Sequence, residues 1–288
     1  MHIADKKQTA PLVTGISREA ELLMDAFWPG PLTLVLPKSS QVPDGITGGL
    51  ETVALRVPGH PVALALLQYS RLPIAAPSAN TSGRPSPTEA AHVIEDLTGK
   101  VDMLIDGGRV GIGVESTIVD LTGAVPVILR PGYITREMLS RVVGEVKLDE
   151  AVFTQLSADA KPKAPGMKYR HYAPRAPLTL VDGDGDAVIA HINQVTKQML
   201  AAAGNMRIGI IAVEEEMSYY QASAQIVVRC VGSRKDPESI AYNLYSVLRE
   251  FDHDNVSAIF CENFSAARFG AAVRNRLLKA AGHHIVQV

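Results

Sequence analysis

Cysteine is scarce in this 288-residue chain, which has only Cys230 and Cys261. They form no CxxC pair and join no Cys/His cluster, so nothing in the sequence suggests a zinc site. Both sit in apolar, strand-like runs, 226–231 and 256–261, and are expected to be reduced core thiols. Long apolar runs are missing too. None approaches the ~18 residues that a membrane-spanning helix needs. Residues 1–6 do not follow the charged-then-apolar plan of a signal peptide. A cytoplasmic protein without membrane contact is therefore expected. Charge of one sign is also lacking: 28 Lys and Arg stand against 30 Asp and Glu, a formal net charge of -2. That excludes a bulk nucleic-acid binder and leaves room only for a local basic patch. The phosphate loop Gly-x-x-x-x-Gly-Lys-[Ser/Thr], the Gly-x-Ser-x-Gly elbow and HExxH are all absent. His283 and His284 have no metal-spaced partner and are expected to be solvated; no metal ligand is assigned.

What the sequence does have is size and pattern. Its length exceeds the usual single domain and 47% of its residues are hydrophobic, so two domains are expected. Helices are predicted over 17–27, 60–69, 86–97 and 135–143, and strands over 32–36, 53–57, 72–76, 103–105, 115–121 and 125–129. Ser86-Pro87-Thr88-Glu89 carries a cap, a first-turn proline and a capping-box glutamate. Residues 158–166 have no period and read as a linker. After it, strands at 178–181, 207–213, 226–231 and 256–261 alternate with helices at 187–203, 236–251 and 270–281, which implies a mostly parallel sheet. That part lacks a Gly-x-Gly-x-x-Gly turn, so a second nucleotide site is not supported.

Four segments could carry chemistry. Ser78-Ala79-Asn80-Thr81-Ser82-Gly83-Arg84-Pro85-Ser86 follows an expected buried strand and precedes a helix, and its hydroxyls, amide and backbone N–H groups suit phosphate or carboxylate oxygens. It could equally be an ordinary loop rich in capping residues. Glu115-Ser116-Thr117 opens a β-branched strand and is either a cavity wall or a plain strand end. Arg56 and Arg130 sit at the ends of apolar strands and need anionic partners, either internal carboxylates or a ligand. Finally, 165–174 puts two tyrosines, a histidine and two cations into a linker, suited to a nucleotide or a neighbouring surface.

Taken in order, Phe27-Trp28-Pro29-Gly30-Pro31-Leu32-Thr33, Leu55-Arg56-Val57-Pro58, Ala76-Pro77-Ser78-Ala79-Asn80-x-Ser82-Gly83, Glu115-Ser116-Thr117-Ile118-Val119-Asp120 and Leu129-Arg130-Pro131-Gly132 resemble the YrdC-type threonylcarbamoyl-AMP synthases. The run Pro165-Gly166-x-x-x-x-His171-Tyr172-x-Pro174 and Gly270–Leu277 resemble the longer, two-domain form. The resemblance implies an α/β fold in which a twisted mixed-sheet YrdC-like domain with a large cavity (1–149) leads through a linker or lid (150–177) to a small Rossmann-like parallel α/β domain (178–288). It also implies a nucleotidyltransferase that joins L-threonine, bicarbonate and ATP, with Mg²⁺, into threonylcarbamoyl-AMP. A downstream tRNA-modifying complex would use the product beside the anticodon.

By the same resemblance Arg56 holds the threonine carboxylate, with His2, Ala76 and Ser116 around the amino acid. Ser78 and Asn80 lie at the reacting phosphate, and Arg56, Ser78 and Asn80 form the catalytic set. Thr33, Thr52, Ala76 and Arg130 line ATP, and Tyr169 and Tyr172 cover it. The family also carries a Lys-x-Arg-Pro phosphate loop ahead of the segment that starts here at His2. This sequence contains no Lys-x-Arg-Pro, so the chain is expected to correspond to the family without that N-terminal segment and to have weak or no synthase activity as it stands. Three other readings are a double-stranded RNA or tRNA binder with weak affinity, a non-catalytic nucleotide-binding relic, and a carbamoyl transferase working through carbamoyl-adenylate.

Overall fold

The computed structural model describes residues 1–154, 171–264 and 270–288. In chain order the elements are α1 (Arg18–Phe27), β1 (Leu32–Pro37), α2 (Asp44–Thr47), β2 (Thr52–Leu55), α3 (Pro61–Ser70), α4 (Ala90–Leu97), β3 (Thr117–Asp120), β4 (Val127–Arg130), α5 (Arg136–Val143) and β5 (Lys147–Leu148). They continue as β6 (Leu178–Asp182), α6 (Gly185–Ala202), β7 (Ile208–Val213), β8 (Ile226–Gly232), α7 (Pro237–Asp254), β9 (Ala258–Glu262), α8 (Gly270–Ala280) and β10 (Ile285–Gln287). Among the described residues no helix is long and apolar enough to cross a membrane.

The contacts fall into two compact units. The first comprises 1–77 with the described residues from 115 to 154, and the second 78–114 with the described residues from 171 onward. The first unit is built on a mixed sheet of order β2-β1-β3-β4-β5. β1 runs antiparallel to β2 and parallel to β3, and β4 runs antiparallel to β3. Alternation along these strands sorts their side chains. Leu32, Leu34, Leu36, Val53, Leu55, Val119 and Ile128 share one core with Ala20, Leu23 and Met24 of α1 and Leu139 of α5. Each such fully buried aliphatic contributes about 1.5–3 kcal/mol relative to exposure. Ser17 caps α1 by accepting from Ala20 N, and Thr135 caps α5 by accepting from Met138 N.

The second unit holds an all-parallel sheet of order β10-β6-β9-β7-β8. Ile208, Ile210 and Ala212 of β7 share a core with Val188 and Ile192 of α6. On the other face a Cβ at Gly209 would lie 2.6 Å from the Phe251 ring of α7, so that helix rests directly on the strand backbone. A sheet covered on both faces needs the near-continuous apolar strands seen here.

Segment 78–114 joins this unit through buried charge. Arg249 of α7 is fully buried and donates to Pro85 O at 2.7 Å and to Asp96 Oδ2 at 2.8 Å. Arg84 pairs with Asp96, with Glu95 at 3.0 Å and with Asp252 at 3.2 Å. Further on, Arg109 lies 4.4 Å over the Tyr242 ring, and a side chain at Gly113, whose φ is +83°, would overlap the backbone of Ala241 and Tyr242.

Four sequence expectations are corrected. Residues 72–76 form no strand; only Ile74 makes a bridge, to His2, and Leu72 is exposed. Residues 103–105 form none either, and Met103 and Ile105 are exposed. The helix expected from Ser86 begins at Ala90, after Glu89, whose side chain makes no capping bond; Thr88 N donates to His92 Nδ1 instead. Cys261 is buried, but Cys230 is exposed on β8 at the sheet edge. The linker at 158–166 lies outside the described residues.

The Arg249–Asp96 pair generates a stability test. Asp96→Ala leaves a fully buried guanidinium without its carboxylate and is expected to cost about 3–5 kcal/mol. Adding Arg249→Met is expected to recover much of that loss. Urea unfolding followed by far-UV circular dichroism measures both.

Candidate functional site

One face of the first sheet is the apolar core just described. The other carries a smaller apolar cluster of Val35, Ile118, Leu129 and Ala151 together with a transverse row that bears polar residues. Leu55 faces Leu34, so Arg56, the next residue, continues the row at Thr33; Thr33 faces Ile118, and Ile118 faces Arg130. Period-two alternation places Arg56 and Thr33 on the same face, and the register shift between Ile118 and Val119 breaks the alternation after Ile128, so that Arg130 faces Ile118 on that side too. Thr52 shares that face four residues before Arg56, opposite Pro37.

Short contacts hold the row. Arg56 Nε donates to Gly30 O at 2.8 Å, which fixes the side chain while its two terminal nitrogens make no hydrogen bond among the described residues. Gly30 N in turn donates to Val57 O at 2.9 Å. Arg130 donates from Nε and Nη2 to Ser116 O at 3.1 and 3.0 Å, and from Nη2 to Ser116 Oγ at 3.2 Å. Ser116 Oγ lies 2.7 Å from Thr33 Oγ1. Next to it, Thr117 Oγ1 donates to Ile134 O at 2.7 Å. The turn after Arg130 passes so close that a Cβ at Gly132 would lie 2.6 Å from Glu115 O and Thr117 N. Only glycine lets the Arg-Pro-Gly corner approach the start of β3 in this way.

His2 adds an edge to the row. Its N–H donates to Ile74 O at 2.7 Å, Ile74 N returns to His2 O at 2.9 Å, and Ile3 N donates to Arg56 O at 3.0 Å. Two residues beyond Ile74 comes Ala76, which is exposed.

The electrostatics are unbalanced. Among the described residues neither Arg56 nor Arg130 forms an ion pair with a carboxylate. Burial, and then the charge of Arg130, pull the Arg56 guanidinium down to about 10. Burial, and then Arg56, hold His2 at about 4, so its ring is neutral at physiological pH. Two cations are thus held near each other with fixed frames, free donors and no internal counter-charge. Such an arrangement accepts carboxylate or phosphate oxygens.

The remaining sequence-derived candidates lie in the second unit or outside the described residues. Ser78 O accepts from Asn80 N at 3.0 Å, and Asn80 Nδ2 donates to Thr81 O at 2.9 Å while its buried Oδ1 has no partner. Tyr172 is buried, with φ +64° and its ring 5.3 Å from that of Tyr245. Tyr169 falls outside the described residues. Sequence reasoning missed the Gly30 carbonyl as the clamp on Arg56 and the tight approach at Gly132. Both glycines were visible in Pro29-Gly30-Pro31 and Pro131-Gly132, yet their partners are distant in sequence.

Comparison with known proteins divides the chain near residue 133, so 78–114 falls with the first family model although its contacts are with the second unit. Residues 1–132 match the family model Sua5_yciO_yrdC, described as "Telomere recombination", and residues 134–282 match "Threonylcarbamoyl-AMP synthase, C-terminal domain". Over all 288 residues the chain is 45% identical to the threonylcarbamoyl-AMP synthase of Bacillus subtilis, spanning 80% of that protein. It is 46% identical to that of Pyrococcus abyssi, spanning 81%. The crystal structure of P. abyssi Sua5 complexed with L-threonine matches at a TM-score of 0.90 and 46% identity, covering 100% of this chain and 81% of that one. With family models across both halves and relatives this similar along its whole length, the chain belongs to the threonylcarbamoyl-AMP synthase family.

Proposed function

We propose that this chain is an L-threonylcarbamoyladenylate synthase, which joins L-threonine, bicarbonate and ATP into threonylcarbamoyl-AMP, pyrophosphate and water. The observation that carries the proposal is the pair Arg56 and Arg130 on one sheet face with no carboxylate to neutralise them. Both larger substrates present anionic groups, the threonine carboxylate and the ATP phosphates. The relatives' shared name and the L-threonine bound by P. abyssi Sua5 support the same reading.

The residues then divide the work. The free terminal nitrogens of Arg56 take the threonine carboxylate, which leaves the amine directed towards neutral His2. An imidazole held near pKa 4 adds no third positive charge and offers the amine an acceptor nitrogen. The threonine amine captures CO₂ from bicarbonate, giving a carbamate and water. A carbamate oxygen attacks the α-phosphorus of ATP, a P–O bond forms, and pyrophosphate leaves with the electron pair of the broken P–O bond. No covalent enzyme intermediate is required. Positioning and charge stabilisation carry the rate, with Arg130 and Thr33 facing the nucleotide and Ser116 beside the amino acid. Mg²⁺ belongs to the proposal as the counter-ion of the triphosphate. Phosphate oxygens and water would supply most of its ligands, and the ion would neutralise charge on the triphosphate. The product is handed to a tRNA-modifying complex. Substitutions at Ser78, Asn80 and Tyr172 test separately the phosphate and cover roles that the resemblance implies for them.

Two tests follow from this division. Charge-assisted hydrogen bonds are worth about 1.5–3 kcal/mol, so Arg56→Ala is expected to raise the KM for threonine by roughly 10- to 150-fold. Arg130→Ala is expected to act on the KM for ATP instead. Pyrophosphate release with all three substrates reads both; an unchanged threonine KM in Arg56→Ala contradicts the assignment.

The second test concerns His2. The unfolded chain takes up the proton near the ordinary 6.5, whereas the folded chain does so only near 4. Protonation of the unfolded state therefore removes stability as pH falls from about 6.5 to about 4. His2→Gln is expected to flatten that part of the stability profile, measured by urea unfolding across the window.

A further inference from the structure

The carboxyl ends of the parallel strands in the second unit hold a polar cluster that the proposed synthase reaction does not use. β9 and β7 are neighbours in the sheet, yet the chain leaving β7 goes on to β8 on one side and the chain leaving β9 goes on to β10 on the other. Neighbouring strands whose connections part in this way open a crevice at their carboxyl ends, the usual ligand position in open α/β sheets.

Here that position is lined by Glu216 and Tyr220 after β7, Arg234 after β8 and Glu262 at the end of β9. Arg234 donates to Glu216 Oε1 from Nη2 at 2.7 Å and from Nε at 3.2 Å, and it also donates to Glu262 Oε1. Glu215 is occupied elsewhere, accepting from Ser233 Oγ at 2.6 Å and from Arg234 N at 3.1 Å.

The cluster is left unsatisfied. Tyr220 is 4% exposed, and its hydroxyl has no hydrogen-bond partner. Glu216 Oε2 is buried without a partner as well. Tyr220 feels both carboxylates: burial, then Glu216 and Glu262, push its hydroxyl well above the ordinary tyrosine range. Burial, and with it the neighbouring Glu216 carboxyl, raise Glu262 to about 7 despite the pull of Arg234. A buried hydroxyl and a buried carboxylate oxygen without partners cost free energy that a ligand would recover.

Charge and donor count select the ligand. Glu216 offsets the Arg234 guanidinium and Glu262 is only part-ionised near neutral pH, so an arriving cation would draw Glu262 into its charged form, whereas a phosphate or carboxylate would be repelled by both carboxyl groups. The open atoms are oxygens that accept hydrogen bonds. A primary ammonium group brings one positive charge and three N–H donors, a match for Glu216 Oε2, the Tyr220 oxygen and Glu262. We propose that this crevice between the ends of β7 and β9 is a binding site for the ammonium head of a small primary amine. The inference stands apart from the synthase reading, because its residues and its readout are separate from it.

The test titrates the full chain with propylammonium chloride and, at matched ionic strength, with potassium chloride, following amide chemical shifts by NMR. Saturable shifts around Glu216, Tyr220 and Glu262 are expected with the amine alone. Tyr220→Phe is expected to weaken them about tenfold, in line with one lost charge-assisted hydrogen bond, and Glu216→Gln to abolish them. Far-UV circular dichroism checks that each variant is folded; if Glu216→Gln unfolds, Tyr220→Phe decides. Equal shifts with potassium would make this an inorganic-cation site and overturn the proposal. So would the absence of saturable shifts, or unchanged affinity in a folded Tyr220→Phe.

Discussion

Two guanidinium groups without a counter-charge among the described residues set the terms for the first unit. Arg56 and Arg130 repel each other, and burial makes that repulsion more costly. The fold tolerates it because each side chain is held by neutral carbonyl oxygens, Gly30 O for Arg56 and Ser116 O for Arg130. A carbonyl orients a guanidinium without cancelling its charge. The cost stays in the folded state until an anion arrives, and binding is stronger by that amount. The glycines follow from this: Gly30 presents the carbonyl, and Gly132 brings the corner after Arg130 against the start of β3.

The two units use strand alternation differently. In the first, one sheet face is sealed by α1 and α5, and the other carries Thr52, Arg56, Thr33 and Arg130. In the second, both faces are apolar, so its polar groups collect at the strand ends, at Glu216, Arg234 and Glu262. Its tie to segment 78–114 is electrostatic. A fully buried Arg249 with Asp96 is strong only because Pro85 O and Arg84 complete the network.

Much of this was legible in the sequence because it depends on local pattern. The strands β1 and β2, the helices expected from residues 17 and 135 and the βα rhythm after residue 178 all appear where the residues put them. The arginines stood out as charges at the ends of apolar strands. The misreadings share one cause, since they needed a partner that local sequence does not name. Leu72–Ala76 and Met103–Ile105 have strand composition, but a strand also needs a neighbouring edge to bond. The Ser86 box had good capping chemistry, yet the backbone before α4 is used by Arg249 at Pro85 O and by His92 at Thr88 N. Cys230 lies in an apolar run but on the outermost strand. In the site, the Thr33–Ser116 bond and the Gly30 clamp join residues 83 and 26 positions apart, which spacing cannot reveal.

The most direct measurement is a crystal structure of this chain with L-threonine and a non-hydrolysable ATP analogue. The account requires a carboxylate oxygen of threonine within hydrogen-bond distance of the Arg56 terminal nitrogens, and the nucleotide on the same sheet face beside Arg130 and Thr33. Ligands bound elsewhere, with both guanidinium groups still facing no anion, would contradict it.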